Sequence, residues 1–151
     1  MATRPSPFVS ARYSHYVLTI LSLVYVVSFI DRQLLAMLIE PIKKEFGVSD
    51  TAMGFLTGFA FVLFYTLAGI PIARLADRAS RKVIIAVSLT LWSAMTAASG
   101  LARSFVELAL IRVMVGVGEA GGNPPAHSLI SDYFPPKKRA TALSVYACGV
   151  Y

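Results

Sequence analysis

Two residues of opposite charge, Arg112 and Glu119, stand seven positions apart inside a long apolar stretch, and Asn123 follows four positions on. At 3.6 residues per turn these three share one helix face, with about 10 Å between the charges along the axis. Gly116 lies near that face and keeps it thin. A charge at the centre of a bilayer costs at least about 2.5–3.5 kcal/mol, so two on one face call for a polar cavity or a buried partner. On the functional reading, Glu119 takes up and releases a proton while Arg112 tunes it or holds an anion. On the structural reading, the two form an intrahelical pair, or Arg112 snorkels to the headgroups. Asp31 is the third member, set in another apolar run. The two runs cross the membrane in opposite directions, which puts Asp31 and Arg112 in the same outer half. The expectation is a charge pair across a cavity, loosened when Asp31 or Glu119 is protonated. The alternative is neutralisation of Asp31 by the adjacent Arg32, although neighbours on a helix point about 100° apart.

The elements that must carry these groups are membrane spans. Thr51–Ala73 and Val83–Ala102 hold no formal charge, and between them lies the basic hinge Arg74-Leu-Ala-Asp77-Arg78-Ala-Ser-Arg81-Lys82. Each stretch is long enough to cross about 30 Å of hydrocarbon at 1.5 Å per residue. The chain is 56% hydrophobic and 15% charged, whereas a soluble domain is about 25% charged. The reading is therefore an all-α integral membrane protein. Its helices fall near 13–40, 50–74, 81–102, 105–133 and 140–151, the last a truncated fifth span, after a disordered cytoplasmic tail at 1–12. Pro41–Asp50 is the outer connection, with Ser49 or Asp50 as N-cap, and Arg103-Ser-Phe is a tight outer turn. The tail, the hinge and the fourth connection hold Arg4, Arg12, Arg74, Arg78, Arg81, Lys82, Lys137, Lys138 and Arg139, against Lys43, Lys44 and Arg103 on the other side. The cation-rich side should be cytoplasmic, so the N-terminus is inside.

Other signals carry less. A net charge of +6 falls in the connections rather than among interleaved aromatics, which argues against nucleic acid. Gly116-Val-Gly118-Glu-Ala-Gly121 has the spacing of a dinucleotide fingerprint, but inside a span small residues at this spacing serve helix packing. Gly54 and Gly58 have the spacing that lets a neighbouring helix approach closely. Pro124-Pro125 should break and kink the fourth helix, as a gating hinge or a packed bend. His127 reads as a satisfied polar residue or a proton relay, Tyr25 and Ser28 as packing residues that could instead face substrate, and Trp92 as a lipid or packing contact. No metal-ligand cluster, nucleophile triad or P-loop is present in the sequence, so the reading is not an enzyme and calls for no cofactor.

These residues resemble the major facilitator superfamily of transporters. Ala73-Arg-Leu-Ala-Asp77-Arg78-Ala-Ser80-Arg81-Lys82 is similar to its signature between helices 2 and 3, with Ala73 and Ser80 in place of two glycines. Arg112-x-x-x-Gly116-x-Gly118-Glu119-Ala120 looks like the helix 4 signature in its spinster-like form. Ile30-Asp31-Arg32 and Phe134-Pro-Pro-x-x-Arg139-x-x-Ala142-Leu-Ser144 point the same way, and anion:cation symporters share much of the pattern. The resemblance implies a twelve-helix carrier of which this chain is the N-terminal part, working by alternating access. It implies a cytoplasmic gate at Asp77, Arg78, Arg81, Lys82 and Arg139, and proton coupling or substrate contact at Asp31, Arg112, Glu119 and Asn123. The implied partners are protons, a small organic anion or amphipathic lipid-like molecule, the bilayer, and the remainder of the same chain. The competing expectation is a small oligomeric scaffold or channel subunit, complete as written.

Overall fold

A computed structural model describes residues 10–150. Most of the tail expected at 1–12 lies outside the described residues, while Ala11 and Arg12 already belong to the first helix, α1 (Ala11–Met37). Short α2 (Ile39–Phe46) follows, then α3 (Asp50–Gly54), a π turn (Phe55–Ala60) and α4 (Phe61–Ala76), which run on as one continuous rod. Next come α5 (Arg81–Ser99), α6 (Phe105–Ala120), α7 (Asn123–Tyr133) and α8 (Pro136–Ala147), closed by a 3₁₀ turn at Cys148–Val150. No strand occurs among the described residues.

Three rods, Ala11–Met37, Asp50–Ala76 and Arg81–Ser99, are long and apolar enough to cross a membrane. Their outward faces carry large apolar side chains such as Leu23, Val27, Phe59, Val62 and Val87, all exposed. Such faces suit lipid, where the backbone must satisfy its own hydrogen bonds and helices do so.

The chain forms two compact units. In the unit Asp31–Pro125, α6 packs along α5 and against α4. The glycines of α6 make this possible. A Cβ on Gly118 would lie 2.8 Å from the backbone nitrogen of Trp92, and one on Gly116 would lie 3.3 Å from the Phe61 ring. Close backbone approach is the use small residues have in membrane helices. Gly54 and Gly58 differ: added Cβ atoms there would meet nothing within 4 Å, so no described helix approaches them.

At one end of this unit Met53, Leu56 and Leu108 form a buried cluster covered by Ile39, Ile42, Phe46 and Val48. The connection expected at Pro41–Asp50 is thus mostly the amphipathic helix α2. Ile39, Ile42 and Phe46 recur at helical spacing, and Pro41 sits in the first turn, where its missing N–H costs nothing. Gly47, at φ 64°, ends α2 in the left-handed conformation that favours glycine. Ser49 caps α3, accepting a hydrogen bond from the Ala52 amide, and Ser104 caps α6 by accepting from the Glu107 amide.

The unit formed by residues up to Ile30 with Ala126–Tyr151 pairs the first part of α1 with α8. Tyr25 stacks on Tyr146 with centroids 4.8 Å apart, and the Ser14 hydroxyl donates to the Tyr133 carbonyl at 3.2 Å. The sequence places the opening of the fifth helix at Ala140, but α8 begins at Pro136. Proline at the first helical position is preset for the helix, so Lys137, Lys138 and Arg139 lie in the first turn rather than in a loop.

The fourth span also departs from expectation. The break falls at Gly121-Gly122, with Pro124 and Pro125 as the second and third residues of α7. There the prolines initiate a helix instead of kinking one.

Candidate functional site

Asp31 and Arg32 are successive residues of α1, and on α6 Arg112 and Glu119 are two turns apart. The structure joins them pairwise. Arg112 Nη1 donates to Asp31 Oδ2 at 3.4 Å, with each side chain only 10% exposed. Arg32 Nε donates to Glu119 Oε2 at 2.8 Å, and its Nη2 contacts the same oxygen. Glu119 is 2% exposed and Arg32 41%. Adjacent residues on α1 diverge by about 100°, so each takes a different partner on α6.

The four charges border a cavity of about 200 Å³, closed further by Leu35, Ile39, Thr57 and Phe61. Phe61 and Tyr65 of α4 lie against Arg32, with centroids 5.3 Å and 5.6 Å from its guanidinium carbon. Asn123, the first residue of α7, donates from Nδ2 to the Tyr65 hydroxyl at 3.1 Å. Asp31, Arg112 and Glu119 therefore meet at one cavity, and Asn123 reaches its wall through Tyr65. The local alternative for Asp31 is overturned, because the Arg32 side chain goes to Glu119.

The partner of Glu119 is the residue that sequence reasoning misses. A signal for it exists: the spans hold two carboxylates and two guanidiniums, and two ion pairs balance them. Phe61, Tyr65 and Thr57 carry no charge, and nothing in their spacing marks them.

Neutralising a carboxylate in either pair removes the charge that holds its guanidinium. For Arg112, whose side chain is 10% exposed, an unpaired guanidinium would be costly, whereas Arg32 is 41% exposed.

The hinge residues occupy one turn. Asp77 caps the C-terminus of α4, the Ala79 amide donates to the Leu75 carbonyl at 2.8 Å, and Ser80 precedes Arg81 and Lys82 at the start of α5. Asp77, Arg78 and Lys82 are exposed. In the other unit, Arg139 Nε donates to the Phe134 carbonyl at 3.0 Å, across the turn that joins α7 to α8.

The family profile of the Major Facilitator Superfamily matches residues 21–151. An MFS-type efflux pump of Mycolicibacterium smegmatis is 41% identical over 131 residues, 87% of this chain and 30% of that protein. A mouse sphingosine-1-phosphate transporter is 36% identical over 129 residues, 84% of this chain and 23% of the relative. Among solved structures, a bacterial homologue of the human lysosomal transporter spinster, inward-facing and unoccupied, is 50% identical. It superposes with a TM-score of 0.90 over 94% of this chain and 30% of its own length. The chain thus spans about a third or less of these relatives, which are transporters rather than enzymes. It is an integral, multi-pass membrane chain that belongs to the Major Facilitator Superfamily, in its spinster-like branch.

Proposed function

We propose that this chain supplies the N-terminal part of a proton-coupled secondary transporter with a cytoplasmic N-terminus, moving an amphipathic, lipid-like molecule or a small organic anion by alternating access. The observation that carries this reading is the pair of crossed ion bridges, Asp31–Arg112 and Arg32–Glu119, around one cavity. Glu119 is the proton-binding group, and Asp31 with Arg112 forms the second, more enclosed bridge. Protonation of Glu119 breaks its ion bridge to Arg32, whose half-exposed guanidinium, still at the cavity, then takes an anionic group of the substrate; when the proton leaves, the bridge re-forms. Binding energy and proton exchange are in this way drawn from the same four side chains. Asp77, Arg78, Arg81, Lys82 and Arg139 belong to the gate on the cytoplasmic side. The relatives support either substrate class, and the exposed guanidinium favours a molecule with an anionic head.

The test is flux in proteoliposomes holding the whole carrier. Glu119→Gln should abolish accumulation driven by a pH gradient while leaving substrate exchange in place. Accumulation with an unchanged pH dependence in that variant would refute proton coupling at Glu119.

A further inference from the structure

Arg32 is the most exposed of the four charged side chains, yet it is fixed on a carboxylate that is almost wholly buried. A long side chain reaching out of a helix needs more than one contact to stay in one geometry. Phe61 and Tyr65 supply it, presenting ring faces at 5.3 Å and 5.6 Å. The two rings are stacked on each other, 6.0 Å apart and inclined by 24°. Both are backed. The Phe61 ring rests where Gly116 has no side chain, since a Cβ there would come within 3.3 Å of it. The Tyr65 hydroxyl is anchored by Asn123 at 3.1 Å. A π turn immediately precedes Phe61 in the same rod, and inside it the Thr57 hydroxyl donates to the Met53 carbonyl at 2.8 Å.

We propose that Phe61 and Tyr65 are positioning residues, an aromatic clamp that holds the Arg32 guanidinium at Glu119 in either protonation state of that carboxylate. The attraction between a guanidinium and a ring face does not depend on the proton at Glu119. When the ion bridge is broken, the clamp keeps the cation at the cavity. Its significance for coupling rests on the function proposed above; its existence does not.

The experiment is arginine-selective modification of the whole carrier with phenylglyoxal, read peptide by peptide by mass spectrometry. Arg103, exposed in a turn, is the internal standard, and buried Arg112 reports intact folding. Phe61→Leu should raise the Arg32-to-Arg103 reactivity ratio about three- to fivefold, and Phe61→Tyr should keep it at the parent level. An unchanged ratio in Phe61→Leu, with Arg112 still protected, overturns the clamp. Should Phe61→Leu expose Arg112, Tyr65→Leu takes its place, and an unchanged ratio there overturns the clamp equally. No flux is needed for this readout. A raised ratio together with unaltered pH dependence in Glu119→Gln would support the clamp and sink the coupling reading.

Discussion

At the α2 connection Lys43 bridges Glu40 and Asp50, whose side chains are 66% and 85% exposed. At the cavity Asp31 meets Arg112 with both side chains at 10%. Each joins cation to carboxylate, and the surroundings are opposite. Water and salt screen the first cluster, so making or breaking it changes little. The second is shielded, and its worth lies in the penalty for losing one member, because the remaining charge is left without solvent or counterion. Ion pairs of one chain can therefore be either decoration or a constraint on every state the protein visits, and burial decides which.

Breaking the buried pair on one side gives the largest expected effect. Arg112→Gln should cost about 3–5 kcal/mol of stability, read as a lowered unfolding temperature of the carrier in detergent. Adding Asp31→Asn should recover most of that loss, because no buried charge is then left over. A double variant no better than Arg112→Gln alone would mean that the two side chains do not hold each other.

Next in size is Gly118→Ala, which tests whether the cavity depends on the close contact between α6 and α5. Its Cβ would lie 2.8 Å from the Trp92 backbone nitrogen. Forced apart, the helices should lose about 1–3 kcal/mol, again measured by thermal unfolding.

The smallest effect is expected at the exposed cluster. Hydrogen bonds from Lys43 to Asp50 and then Glu40 raise its pKa above the ordinary 10.5. A raised lysine pKa stabilises the fold fully below 10.5, and the contribution is lost as pH climbs through the folded value. Lys43→Met should therefore leave the unfolding temperature essentially unchanged at neutral pH and flatten its pH dependence only above that range. A marked loss at pH 7 would place this cluster with the buried one.

Charges inside apolar runs are the legible part of the site. Asp31, Arg112 and Glu119 stand out because hydrocarbon tolerates few charges, and the antiparallel course of the spans brings Asp31 and Arg112 to one level. Arg32 is as visible as they are, but its partner is not, since linear sequence shows adjacency and not the rotation between successive side chains. The helix α2 is hidden by Pro41 and its charges, although Ile39, Ile42 and Phe46 hold the period. The π turn leaves no trace at all. Its residues, Phe55–Ala60, read as ordinary helix, and which hydrogen bonds a rod adopts depends on what it packs against. At Gly121-Gly122 the prolines draw attention to the right place and suggest the wrong role, because proline initiates helices as readily as it breaks them.

The contact between Gly118 and Trp92 also has an optical consequence. Trp92 is the only tryptophan in this chain, it is 5% exposed, and its indole N–H has no acceptor among the described residues. An indole so placed emits at short wavelength, and its emission shifts to the red when polar contacts reach it. The backbone and Cβ of Trp92 lie against Gly118 of α6, one residue before Glu119. The chain thus carries its own fluorophore beside the helix that bears two of the four cavity charges, and movement of α6 against α5 should be visible as a change in colour without a label.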